Sequence, residues 1–204
     1  MAKIMTVDYE AIPGQARQMR QNGMELNNEL TTAYESITEM HNNWYGKRYN
    51  ALVTEFNKII PQLNELLVLV VGQIPFTLET VANNYSQADR GQNATSAVNE
   101  APKKVAEINL STDVGMKFLT SEVTATQESV SSNFSKAVEL MNTIESIYNS
   151  ITWQSEAADA FKAQFTKLKN QIVQAFEDLK SQFTTLMNQT KDDIQATETA
   201  NTVQ

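Results

Sequence analysis

Cysteine is missing from the sequence altogether, histidine occurs once, and only 4 prolines and 6 glycines interrupt 204 residues. Without cysteine there are no disulfides, no thiolate metal sites and no thiol nucleophile, which is compatible with either a cytosolic or an exported existence. The one histidine, His41, sits among Met40, Asn42 and Asn43 with no carboxylate at ligand spacing, so it reads as a turn or surface residue. A Gly-rich phosphate loop, a nucleophile elbow and any carboxylate cluster beyond helix charges such as Asp192 and Asp193 are also missing. No enzyme activity, cofactor or metal site is expected. Basic residues are outnumbered, 16 against 24 acidic, and the net charge of -8 repels phosphate backbones and anionic lipid. Nucleic acid is therefore not an expected partner.

Long apolar runs are lacking too. The longest, Leu66 to Val71, falls far short of the roughly 20 residues of a membrane-spanning helix, so stable membrane insertion is not expected. The amino terminus, Met1 to Asp8, has one lysine but no following apolar stretch or small-residue cleavage site. Export, if it occurs, is expected by a route that uses no cleavable signal. Sequons at Asn93 and Asn188 are expected by chance in an Asn- and Thr-rich chain.

What the sequence does contain is a repeat, for which the two tryptophans, Trp44 and Trp153, serve as a ruler. Counting forward from each, apolar residues coincide as Ala51/Ala160, Leu52/Phe161, Phe56/Phe165, Ile59/Leu168, Leu63/Ile172, Leu66/Ala175, Leu67/Phe176, Val70/Leu179, Ile74/Phe183, Leu78/Met187 and Tyr85/Ile194. Steps of three and four are one stripe of a long amphipathic helix. Upstream of each Trp lies a second stripe, Leu26, Leu30, Tyr34, Ile37, Met40 in one half and Val130, Phe134, Val138, Met141, Ile144, Tyr148 in the other. Their registers differ by about one residue relative to the Trp, which predicts slightly different loop lengths. Each half is thus helix, Trp turn, helix.

A lone helical hairpin buries one side of each helix, whereas two hairpins together enclose an interior. The expected fold is all-α, a four-helix bundle of two fused antiparallel helix-turn-helix hairpins over residues 1–90 and 116–204, joined by a linker over 91–115. Pro61 and Pro75 fall inside the second helix, where a missing N–H and a ring clash predict kinks.

The first turn reads Asn42-Asn43-Trp44-Tyr45-Gly46-Lys47, and Gly46 lets the backbone reverse with a positive φ while the indole packs between helices. With the hairpin length, the Gln/Asn/Ala content and the lack of cysteine, this resembles the WXG (Trp-x-Gly) family of small helical hairpin proteins exported by type VII, or ESX-like, secretion. The second turn, Trp153-Gln154-Ser155, places Ser155 where the family has glycine, and a serine there is expected to cap the following helix through its hydroxyl. The family resemblance further implies a Tyr-x-x-x-Asp/Glu export signal, which Tyr85 and Asp89 match; the second half keeps the acid at Glu198 but has Ile194 for the tyrosine. On a helix that spacing puts ring and carboxylate on one face, where a receptor groove can take both. The plainer reading is that Tyr85 ends the apolar stripe and Asp89 is solvated.

The halves differ on the outer face. Where the second half has Glu177, Asp178 and Lys180, the first has Val68, Leu69 and Val71, an apolar surplus that predicts a cover. The cover is the linker, a partner protein or a second copy. A plain up-down bundle needs only about 2 to 8 residues between helices, and here there are about 25. An extended chain of about 25 residues reaches about 83 Å and a helix of about 38 residues is about 57 Å long, so the linker is able to return along the bundle. Val98, Val105, Ile108 and Leu110 are its expected anchors.

The resemblance implies a non-enzymatic, monomeric pseudo-dimer that is a type VII secretion substrate or substrate partner, cytoplasmic before export and presented to the secretion ATPase. A cytosolic adaptor that holds a larger secreted toxin or effector on Val68, Leu69 and Val71 is the alternative. A membrane-active helical effector is a third reading, which the acidic surface disfavours.

Overall fold

Asp8 prepares the first helix: its carboxylate accepts hydrogen bonds from the Glu10 and Ala11 N–H groups, at 3.1 and 3.0 Å. Helix α1 (Ile12–Met40) follows with Pro13 in its first turn, where the missing N–H removes no helical bond. A computed structural model describes residues 6–202; residues 1–5, part of the amino terminus expected to lack a signal, lie outside the described residues, as do 203–204. The chain is predominantly helical and all-α in class. After a short strand β1 (Trp44–Tyr45) come α2 (Lys47–Lys58), α3 (Ile60–Leu67), a π-helical turn (Val68–Gln73) and α4 (Ile74–Arg90). These run on as one rod, Lys47–Arg90. An extended stretch leads to β2 (Lys117–Phe118), α5 (Thr120–Asn149) and α6 (Glu156–Thr202).

The interruptions of the rod fall where proline predicts them. Pro61 lies in the first turn of α3, just after a break at Ile59, and Pro75 lies in the first turn of α4, just after the π turn. A proline is tolerated in a first turn, so the helical ladder is reset immediately before each ring.

Neighbouring helices run antiparallel. The start of α5 lies beside the end of α1, where the Leu119 N–H donates to the Asn43 carbonyl. At the other end Gln15 Nε2 donates to the Ser150 carbonyl and hydroxyl, both at 3.1 Å. The rod and α6 are likewise opposed: Arg48 meets Asp193, and Gln164 donates to Glu65.

The paired stripes form the core. Of the matched positions, only Ala51 and Ala160, each the fifth residue of its helix, are exposed. An aromatic chain crosses between the halves, with Trp44 stacked on Phe183, Phe183 edge-on to Phe56, Phe56 stacked on Phe134, and Phe134 on Phe176 at 4.0 Å. Burying each phenyl ring contributes about 1.5–3 kcal/mol.

Two expectations need correction. The Trp loops do not differ in length: each first helix ends at Met40 or Asn149 and each second begins at Lys47 or Glu156, at the same distances from Trp44 and Trp153. The register difference arises because α1 also packs against the π turn and α4, whereas α5 packs against α1 and α6, so the two helices bury different faces. The uninterrupted run also understated the apolar character of the rod. Lys47–Arg90 is long and apolar enough to cross a membrane by length and composition, with a window of mean hydropathy 1.5 of which 61% is buried inside the protein.

Candidate functional site

Trp44 is 1% exposed and packs edge-on to Tyr49 and Phe118 and in a stack on Phe183, so one indole joins α2, β2 and α6. Its strand pairs antiparallel with β2, Trp44 opposite Phe118 and Tyr45 opposite Lys117. Gly46 then turns the chain at φ +118°, and a Cβ there would lie 3.3 Å from the Gly115 carbonyl oxygen. The expected left-handed glycine is present, for the steric reason anticipated.

Trp153 lies at the opposite end. It is 9% exposed and forms an antiparallel bridge with Val7, supported by the Asp8 N–H donating to the Thr152 carbonyl. Ser155 caps α6, its hydroxyl accepting the Ala158 N–H at 3.1 Å, and Glu156 and Asp159 add acidic charge in the first turn. Each tryptophan therefore pairs with a residue just upstream of the other half's first helix.

Tyr hydroxyls secure the same neighbourhoods. Tyr34 donates to the Phe56 carbonyl at 2.6 Å, and burial pushes its phenol far above the ordinary range. Tyr49 donates to Ile37 and Tyr148 to Ala158; burial pushes both up to about 12. All three are held as neutral donors.

Tyr85 and Asp89 lie on one face of the last turns of α4, with Tyr85 half-buried and Asp89 exposed. Asp89 is not merely solvated. Its carboxylate accepts a short hydrogen bond from the Tyr9 hydroxyl, which raises the Tyr9 phenol, and Arg90 pairs with Glu10 and lies 4.9 Å over the Tyr9 ring. The segment before α1 is thereby tied to the end of α4. In the second half Ile194 is half-buried and Glu198 exposed.

The apolar surplus is covered. Leu69 and Val71 are each 1% exposed, and of the three only Val68, at 39%, faces outward. The π turn is the reason, since it turns every residue from Leu69 to Gly72 inward, with Val70 and Val71 set against Gly23 of α1. Neither Leu69 nor Val71 is open to a partner.

The connection over 91–116 returns along the rod as an extended strap. A Cβ on Gly72 would lie 2.6 Å from the Glu100 carbonyl oxygen, so this close approach needs a glycine. Val105 and Ile108 are buried anchors as expected, whereas the side chains of Val98 and Leu110 are exposed and anchor nothing. What holds the strap was missed in the sequence. Asn64 accepts the Val105 N–H and donates to its carbonyl, at 2.8 and 3.1 Å. Asn57 does the same for Ile108, at 2.9 Å each, and Asn50 for Ser111, at 2.8 and 3.0 Å. Asn27 of α1 does it for Lys103. Glu79 accepts the Val98 N–H while Arg20, paired with Glu79, donates to the Val98 carbonyl. The available signal was the spacing of seven in Asn50, Asn57 and Asn64, which puts three amides on one helix face; the second half has Asp159, Thr166 and Val173 at those offsets from its Trp.

At the strap's far end His41 Nε2 lies 2.5 Å from Asp113 Oδ2. That contact, with the Ser111 hydroxyl, holds the Asp113 carboxyl below its ordinary range. His41 thus has a carboxylate partner, but not a ligand set: among the described residues no group of three His, Cys, Asp or Glu is placed to hold a metal.

No family model, no curated protein and no solved structure matches the chain.

Proposed function

We propose that the protein is a tandem member of the Trp-x-Gly helical hairpin family, a non-enzymatic substrate or substrate partner of type VII secretion. In this reading residues 1–90 and 116–204 are two hairpins of one four-helix bundle, joined through 91–115, and a single chain stands for the dimer of two separate members. The observation that supports it is the reciprocal pairing of the tryptophan turns, Trp44 with Phe118 and Trp153 with Val7. Two copies related by a two-fold axis exchange such contacts in the same way. Fusion keeps the second hairpin at high effective concentration, so pairing no longer depends on protein concentration and the chain is monomeric.

The partner is the secretion ATPase, which reads Tyr85 and Asp89 at the end of α4. The chain is cytoplasmic before export, is secreted without a cleavable signal, and neither binds nucleic acid nor inserts stably in a membrane. An adaptor role on the Val68, Leu69 and Val71 face is the weaker reading, because two of those three side chains are buried.

The test is the amount of intact chain in the culture supernatant of a type VII-competent host, with and without the ATPase, for the native protein, Tyr85→Ala and Ile194→Ala. The reading expects ATPase-dependent export, abolished by Tyr85→Ala in a variant with an unchanged melt, and normal export of Ile194→Ala. Export of a folded Tyr85→Ala protein at the native level removes the signal, and ATPase-independent release removes the secretion reading.

A further inference from the structure

The strap is gripped in a way that asks little of its sequence. Asn27, Asn50, Asn57 and Asn64 each bond both backbone groups of one strap residue, and only Val105 and Ile108 are fully buried. Burial along the strap has a period of three: Pro102 and Ser111 are half-buried, Val105 and Ile108 buried, and the two residues between each are exposed. An extended left-handed chain with three residues per turn, rising about 3.1 Å per residue, advances about 9 Å per repeat. Seven residues of α-helix advance about 10.5 Å. A heptad of asparagines therefore matches a triplet of extended chain, and Asn50, Asn57 and Asn64 meet Ser111, Ile108 and Val105 in order.

We propose that the groove bounded by α1 and the Lys47–Arg90 rod is a binding site for an extended segment of a partner polypeptide with an apolar residue at every third position, and that residues 95–111 are its resident, exchangeable occupant. Asparagine amides that bond a backbone N–H and carbonyl together recognise chain direction and extension rather than side chains. Specificity comes from the two apolar seats under Val105 and Ile108. The resident is held by side-chain amides, by the Arg20–Glu79 pair at Val98 and by two buried anchors, between the left-handed glycines Gly91 and Gly115, and segments with few buried apolar contacts open below the free energy of global unfolding. Being tethered, it competes at an effective concentration on the order of millimolar, so a partner segment gains the groove only when the strap is loosened or the partner is itself held nearby. The inference stands on this geometry and does not depend on the secretion reading.

The experiment is fluorescence anisotropy of a labelled peptide with the sequence of residues 102–112, which keeps the asparagine contacts and both anchors but lacks the Glu100 carbonyl that Gly72 accommodates, titrated with the full chain. Two variants loosen the resident and spare the asparagines: Val105→Ser with Ile108→Ser, and Gly72→Ala, whose methyl collides with the Glu100 carbonyl. Both should bind the peptide at least tenfold more tightly than the native chain. Adding Asn57→Ala and Asn64→Ala, or replacing the peptide's two anchors by serine, should cost at least tenfold. Absence of binding to a cooperatively melting loosened variant, or binding that ignores the asparagines, overturns the proposal. If neither variant folds, hydrogen exchange on the native chain decides: amides of Val98, Lys103, Val105, Ile108 and Ser111 must exchange together before the core helices, and their exchange only with global unfolding overturns it.

Discussion

Arg20 and Glu79, 59 residues apart in sequence, face each other as a two-bonded ion pair at 2.9 Å, with 9% and 2% of their surfaces exposed. The pair joins α1 to α4 and clamps the strap at Val98 from both sides. Desolvation offsets most of the attraction in such a pair, but losing one partner leaves an uncompensated buried charge. Arg20→Ala or Glu79→Ala should therefore each cost about 3–5 kcal/mol in urea unfolding, while the double change to Met and Leu should cost far less. A near-additive cycle would mean that the two act independently.

Trp44 and Trp153 are not equivalent wedges. Trp44 touches three aromatic rings from three elements, whereas Trp153 is more exposed and is paired with Val7. Trp44→Ala should cost about 3–5 kcal/mol, and Trp153→Ala distinctly less, because cavity cost scales with what the removed ring contacted. Denaturant midpoints measure the difference, and equal shifts would refute the ranking.

The second residue after each tryptophan does different work in the two turns. Gly46→Ala places a side chain at φ +118° and ψ -173°, a region open essentially to glycine alone, and should cost about 1–3 kcal/mol. Ser155→Ala removes a cap and should cost about 0.5–2 kcal/mol, but Ser155→Gly only a few tenths. Thermal melts of the three variants check the order.

The strap's far end should loosen in acid. The Asp113 carboxyl is held below its ordinary range by His41, Ser111 and the nearby Lys117. A lowered folded-state value means that the contribution is complete above the usual carboxylate range and is lost as pH falls through the folded value. The protection of the Ser111 and Asp113 amides, each rate being divided by its intrinsic value at that pH, should fall in the native chain as pH is lowered from 5, and Asp113→Asn should remove that dependence.

The sequence by itself determined the helices, the two turns and most of the core, because periods of three and four, a glycine and a serine after the tryptophans, and prolines in the rod act through local sterics and hydrogen bonds. Phe56, Phe134, Phe176 and Phe183 were legible as interior residues for that reason. Tertiary structure decided what depends on neighbours distant in the chain. The burial of Leu69 and Val71 follows from a π turn set against Gly23 and covered by the strap, and no periodicity of the rod alone announces it. The asparagine heptad was visible as a spacing but had no meaning until an extended segment lay along it. Arg20 and Glu79, 59 residues apart on separate helices, share no local pattern that announces their pairing, and only the fold removes them from water together. Patterns of one helix report its own faces; which face meets which, and what covers it, is settled only when all the faces are packed.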